Sequence, residues 1–232
     1  MSRNTASTGD TDTFETGEFV EIEYTARIAD DGTVVDTTDP SVATESGLAG
    51  IDASGPVVVI LGEGHVFGPI EDALTEMQPS EQRTVEVSPA NAFGEMDPTR
   101  RVSIPVEGFS EDSIEQNDRV TIDGRVRYVD AVEDGTATID FNHPLAGSTL
   151  EYEIRPLNRI VDLEDRTEGL LRLYGLRDDV TYVANDDVVE CSATRSSVPG
   201  EEWYDRKRQF LEAATNHLAV DEIRFEERYA TE

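Results

Sequence analysis

Lysine is almost missing from this chain. Of its 19 basic residues only Lys207 is a lysine, and they face 50 acidic residues, for a net charge of −31. A surface so poor in positive charge repels nucleic-acid phosphates and anionic membranes, so neither is expected as a partner. The acid is spread along the whole chain, a distribution that fits a high-salt interior, where screening relieves self-repulsion. Cysteine is equally scarce. Cys191 stands alone, which excludes an intramolecular disulfide and a Cys-Cys metal pair. It follows Val188, Val189 and Glu190 in a strand-like run, where a free thiol acts as a small hydrophobe. The three histidines, His65, His143 and His217, are scattered without metal-ligand spacing. No apolar run approaches the roughly 20 residues that span a bilayer. Residues 1–16 are polar, acidic and Thr-rich, without the basic start and apolar stretch of a secretory signal. They are expected to be a disordered lead-in, and the protein cytoplasmic.

Several chemistries lack their motifs. Gly62-x-Gly64 has no third glycine at dinucleotide spacing and no phosphate-binding lysine. No Gly-x-Ser-x-Gly and no EF-hand loop is present. No cofactor and no metal are expected.

What is present is mostly β pattern. Phe19 to Ala29 alternates apolar and polar residues, as a half-buried strand does, and Asp30-Asp31-Gly32 turns it into Thr33-Val34-Val35-Asp36. Thr37 to Pro56, rich in small and polar residues, reads as a surface loop. Val57 to Leu61 is a short buried strand. Phe67-Gly68-Pro69-Ile70 leads into a helix over Glu71 to Met77, with proline and acid at its entry. Gln82 to Val87 alternates again. From Asn91 to Asn142, short β segments at Val102 to Ile104, Arg119 to Ile122, Arg125 to Val132 and Thr136 to Asp140 suggest a small module inserted into one β-domain, which Leu150 to Ile154 rejoins. Farther on, a helix is expected over Glu168 to Tyr174, paired strands over Val180 to Val183 and Val188 to Ala193, and a last strand over Ile223 to Tyr229. Glu201 to Leu218 reads as an amphipathic helix with Trp203, Phe210, Leu211, Ala214 and Leu218 near one face. That face must be buried within the chain or against a second subunit, so a homodimer through this region is one expectation.

Six segments, in order, resemble a known family: Val20-Glu21-Ile22-Glu23-Tyr24, Gly32-Thr33-Val34-Val35-Asp36, Leu61-Gly62-Glu63-Gly64, Gly68-Pro69-Ile70-Glu71-Asp72-Ala73-Leu74, Ala92-Phe93-Gly94, and Asn142-His143-Pro144-Leu145-Ala146-Gly147 through Leu150-Glu151-Tyr152. Together they look like an FKBP domain carrying an insert-in-flap module, as in SlyD-type isomerases and long archaeal FKBPs, over about Gly17 to Ile160. The resemblance implies an α+β fold, with a twisted antiparallel sheet wrapped on a short helix. It implies a discontinuous FKBP domain at 17–95 and 142–160, a small β-rich insert at 96–141 and a C-terminal α+β domain at 161–232. It further implies peptidyl-prolyl cis/trans isomerase activity on unfolded or partly folded chains and proline-containing peptides, binding of FK506-like macrocycles, and chaperone action by the insert.

By motif, the catalytic set would be Tyr24, Asp36, Phe67, Ile70, Phe93 and Tyr152, with Leu61, Val35 and Val66 contacting substrate. Ile70 would be the floor, and the backbone N–H of Phe67 would bond a substrate carbonyl. Phe93 stands where the family usually has tyrosine, which removes a substrate-bonding hydroxyl but keeps an apolar wall. From pattern alone, Tyr24 and Tyr152 are strand aromatics of a core and Asp36 a turn residue; the family match makes them site residues. Candidate chain-binding residues in the insert are Ile104, Val106, Phe109, Ile114, Val120, Ile122, Val126, Tyr128 and Val129, most of them needed for its own core. SlyD proteins commonly end in a His- and Cys-rich metal-binding tail; this chain ends Arg-Tyr-Ala-Thr-Glu, so that property does not carry over. Two other readings stay open: a holdase on an FKBP scaffold, and a high-salt adaptor assembling through the C-terminal unit.

Overall fold

The structure is a computed structural model and describes residues 13–48, 55–109, 114–122, 125–185, 187–195 and 199–229, without the side chains of 125 and 126. Contacts within the chain separate two units, Met1–Val87 with Glu151–Glu232, and Ser88–Leu150.

The first unit is built on a five-stranded sheet. Strand β1 (Phe19–Ile28) is its hub. Along one edge β1 pairs antiparallel first with β3 (Val57–Ile60), Phe19 opposite Ile60, and then with β2 (Val34–Thr37), Thr25 opposite Thr37. Its other neighbour is β9 (Leu150–Ile160), which leads on to β4 (Arg83–Val87). The expected alternation is visible in burial: Val20, Ile22 and Ala26 are closed off from solvent, as are Leu150, Tyr152 and Ile154 on β9. On the opposite face Glu23 pairs with Arg155 and Glu21 accepts from Asn158, so charge lines the outer surface of the β1–β9 pair. Helix α2 (Gly68–Glu76) buries Ile70, Ala73 and Leu74.

Residues 161–232 fall within the first unit, together with the five-stranded sheet. Helix α3 (Leu163–Leu173), strands β10 (Thr181–Asn185) and β11 (Val188–Arg195), helix α4 (Glu201–His217) and strand β12 (Glu222–Tyr229) follow in order. β10 and β11 form the expected antiparallel pair, and β12 lies parallel to β11, with α4 as the crossover. One apolar cluster joins Leu170, Leu171, Val189, Trp203, Phe210 and Leu218 to Phe19 and Ile60 of the sheet. The physical reason is Phe19, which sits out of phase with the other buried residues of β1 and needs cover on the sheet's second face. Gly169 shows how close the layers come, since a Cβ there would lie 2.8 Å from the Val58 Cβ. Helix α4 buries Trp203, Phe210, Ala214 and Leu218 inside the chain, so its apolar face gives no argument for a second subunit.

Three other segments differ from the sequence reading. The stretch expected as a surface loop contains helix α1 (Pro40–Glu45), whose N-cap Asp39 accepts from Ser41 and Val42 N–H, and it buries Thr37, Thr38 and Ala43. The lead-in was expected to be disordered to residue 16, yet Phe14 is buried, the Arg159 guanidinium lies over its ring, and Arg159 donates to the Thr13 carbonyl. Residues 1–12 lie outside the described ones. Strand β9 continues past Pro156, whose missing N–H is tolerated while its carbonyl accepts from Ser80 at 2.7 Å.

The second unit has a four-stranded sheet in the order β5 (Arg101–Pro105), β8 (Thr136–Asp140), β7 (Arg125–Glu133), β6 (Arg119–Ile122). Ile114, Val120, Val129, Ala137 and Ile139 form its core, with Ile104, Val106, Phe109 and Ile122 packed against it. Of the candidate chain-binding residues, Tyr128 is exposed and the others with described side chains serve this core; the Val126 side chain lies outside the described residues. Outside its sheet the unit is held together by contacts between its two ends. Asn142 Nδ2 donates to the Asp97 carbonyl, Gly147 N–H to the Gly94 carbonyl, and the Phe93 ring stacks on His143 at 4.0 Å. Among the described residues, no helix is long and apolar enough to cross a membrane.

Candidate active site

The site begins with the backbone of Tyr24. Its N–H donates to Thr38 Oγ1 at 3.0 Å, and its carbonyl accepts from the Thr38 N–H and from the hydroxyls of Thr37 and Thr38. Thr25 and Thr37 hydroxyls bond each other at 2.9 Å. These buried polar groups satisfy one another, as burial requires. They fix the register of β1 against β2 and the residues following it. That register sets the Tyr24 hydroxyl on Asp36, to whose Oδ2 it donates at 2.9 Å. Thr37 and Thr38 were not recognised in the sequence, where they open a stretch of small polar residues. The available signal was a Thr-Thr pair directly after Val35-Asp36, opposite Tyr24-Thr25 in a hairpin.

Tyr152, on β9 beside β1, brings its ring within 5.8 Å of Tyr24, tilted at 45°. Phe67 meets Tyr152 edge to face at 6.0 Å, a favoured arrangement for aromatic rings. Phe67 is the N-cap residue of α2, in extended conformation, and Pro69 in the first turn has its φ already set for the helix. Three residues on, Ile70 is 1% exposed, beneath the helix entry. Val35, Val66 and Phe67 are half-buried. Leu61 is 1% exposed and tied by hydrogen bonds to Glu18 and Gly17, just before β1, so it packs behind the site rather than facing outward. Phe93 lies in the second unit, 36% exposed on His143.

Electrostatically the site is a tyrosine pair around one carboxylate. Burial, then the charge of Asp36, raises the Tyr24 phenol well above its ordinary value, and the same two causes push Tyr152 up to about 12. Both hydroxyls stay protonated throughout the physiological range and can donate. The Cys191 thiol is pushed up by burial to about 11, which leaves it protonated and unreactive at neutral pH. Among the described residues, no group of three His, Cys, Asp or Glu side chains is placed to hold a metal.

Comparison with known proteins agrees with this geometry. The family model of the FKBP-type peptidyl-prolyl cis-trans isomerases matches residues 11–155. The chain is 31% identical over 142 residues to a short-type peptidyl-prolyl cis-trans isomerase of Methanocaldococcus jannaschii, covering 60% of this chain and 89% of that one. It is 29% identical over 140 residues to a probable FKBP-type 16 kDa isomerase of Pseudomonas fluorescens (58% and 84%), and 31% identical over 140 residues to the FKBP-type isomerase SlyD of Treponema pallidum (58% and 72%). With its family model matched over most of the chain and its aromatic residues gathered at the entry of α2, the chain belongs to the FKBP-type peptidyl-prolyl cis-trans isomerases.

Proposed function

We propose that the cluster of Tyr24, Asp36, Phe67, Ile70 and Tyr152 receives the prolyl ring of an X-Pro peptide and lowers the barrier to its rotation, with Val35 and Val66 flanking it. The observation that carries this is the convergence of the three rings at the entry of α2, whose Ile70 is buried, beside a carboxylate that accepts from Tyr24. An uncatalysed X-Pro bond crosses about 18–20 kcal/mol, in tens to hundreds of seconds. No covalent bond breaks, so neither nucleophile nor metal is needed. In the twisted transition state the amide loses resonance and becomes less polar. A dry aromatic surface favours that state over the planar, hydrated amide. The Phe67 N–H, at the helix entry, would hold the carbonyl on one side of the rotating bond. Asp36, ordered by Tyr24, would accept hydrogen bonds at the rim.

The test is a proline-tetrapeptide isomerisation assay in molar KCl. The wild type should exceed the uncatalysed rate and be inhibited by an FK506-like macrocycle. Phe67→Ala should lower kcat/KM by at least about tenfold, as losing roughly 1.4 kcal/mol of transition-state stabilisation would. A wild-type rate equal to the blank would remove the proposal.

Chain binding by residues 88–150 is a second part of this reading. Among the described residues, four of the eight exposed large hydrophobics, Phe93, Met96, Val102 and Tyr128, lie in this smaller unit. Such density supports capture of unfolded polypeptide. The same four residues give weight to a holdase without catalysis, which would suppress aggregation in the assay above while showing no isomerase rate.

A further inference from the structure

The loop from Leu61 to Phe67 delivers Val66 and Phe67 to the proposed site, and it is fastened at both ends from two directions. From within the sheet unit, Ile60 N–H donates to His65 Nδ1 at 3.1 Å, and Gly62 and Gly64 N–H both donate to Glu71 Oε1 on α2, at 3.2 and 3.0 Å. Since Nδ1 accepts, the neutral imidazole carries its proton on Nε2. That nitrogen faces the hydroxyl of Tyr174, the C-cap residue of α3, at 3.3 Å, with the rings edge to face at 6.1 Å. The second fastening is His217, in the last turn of α4, whose Nε2 lies 3.2 Å from Glu63 Oε1 while its ring edge meets Phe19. Two residues separated in sequence from the loop by more than a hundred positions thus reach it from α3 and α4.

We propose that Tyr174 and His217 are positioning residues for prolyl isomerisation: through His65 and Glu63 they set the loop that presents Val66 and Phe67 to substrate. The inference rests on the site reading given above. Its consequence is that residues 161–232, which lie beyond the matched family region and carry none of the proposed catalytic residues, tune how well the site binds. A loop that is only fractionally in the competent position weakens apparent substrate affinity by that fraction, while the bound complex turns over as before. The charged and titratable groups around His65 are Glu63, Glu71, His217 and Tyr174, and burial holds the imidazole below its ordinary value and neutral, the state this hydrogen-bonding pattern needs.

Full-length Tyr174→Phe, His217→Ala and His217→Gln are compared with wild type in the peptide assay, with melting temperature and amide hydrogen exchange measured on the same samples. Tyr174→Phe and His217→Ala should each raise KM about three- to tenfold with kcat little changed. The amides of Gly62 and Gly64 should exchange faster, and the rest of the unit should keep its protection. His217→Gln, which retains a donor toward Glu63, should restore KM. Tyr182→Phe, on β10 in the same part of the chain, should leave KM as it is. Unchanged KM in both loss variants overturns the proposal, as does a KM rise accompanied by uniformly faster exchange, which would mark general loosening. Phe67→Ala separates the two readings: if it abolishes turnover while Tyr174→Phe and His217→Ala are silent, the site stands and the positioning role falls. If Phe67→Ala is itself silent, the site reading fails and this inference with it.

Discussion

At the residue scale, the tyrosine pair makes stability depend on alkaline pH. The folded chain disfavours ionisation of Tyr24 and Tyr152, first through burial and then through Asp36. A group whose folded pKa is raised contributes fully below its unfolded value, about 10 for tyrosine, and loses that contribution as pH climbs through the folded value. Unfolding free energy should therefore hold level to about pH 9.5 and fall from about 10 through 12. Urea melts at pH 9, 10.5 and 11.5 should show a shallower alkaline decline in Tyr152→Phe than in wild type. Tyr24→Phe also removes a hydrogen bond to a carboxylate, a contact worth about 1.5–3 kcal/mol at most and less where solvent reaches it. It should lower both the urea midpoint and kcat/KM. The motifs named Tyr24, Asp36, Phe67 and Tyr152 from four separate segments, and the structure brings these side chains together, while Ile70 is buried in α2. Thr37 and Thr38 were not legible in advance, because their importance is a matter of register between strands and leaves no periodicity in one strand alone.

At the scale of elements, alternation made β1, β4 and β11 readable, and the amphipathic stripe did so for α4. Two helices were harder. Helix α1 lies in a stretch whose Thr, Ser and Gly content resembles a loop, and only Asp39 before Pro40 signals it. Helix α3 begins five residues before the expected start, at an Asp162 cap that accepts from the Glu164 and Asp165 N–H groups, with both acids suited to a first turn. The packing of α3 on β3 could not be read from either segment, because it depends on Gly169 meeting Val58. Gly169→Ala places a methyl 2.8 Å from the Val58 Cβ. Overpacking of this kind costs about 1–3 kcal/mol, partly offset by the better helix propensity of alanine. A lower melting temperature is expected, and Gly169→Ala with Val58→Ala should recover part of it. Phe210→Ala on α4 opens a cavity in the cluster shared with Phe19 and Ile60 and should cost about 3–5 kcal/mol in urea unfolding.

At the scale of the whole molecule, the −31 charge and the two-unit division set the expectations. Self-repulsion among so many carboxylates weakens as salt shortens the Debye length, from about 10 Å at 0.1 M to about 3 Å at 1 M. The melting temperature should rise steadily from 0.1 to 2 M KCl, and a fall over that range would remove the high-salt reading. Deleting Met96 to Asp140 should sharply reduce refolding catalysis on an unfolded protein while largely sparing a short peptide; equal losses would refute a division of labour between the units. Local pattern gave no sign of the Phe93–His143 stack or the Asn142 bonds, which lie outside the regular strands. Nor did it reveal that the last seventy residues close the back of the sheet.

The order in which the ribosome delivers β1 and β9 has an effect of its own. Tyr24 must wait for Tyr152 until the entire second unit has emerged, and eight of the ten prolines are already made by then. A nascent copy therefore lacks the Tyr24–Tyr152 contact while most of its own X-Pro bonds are choosing an isomer. Refolding of the denatured enzyme should accelerate once the first native copies accumulate, and a rate unaffected by native enzyme added at the start would refute this.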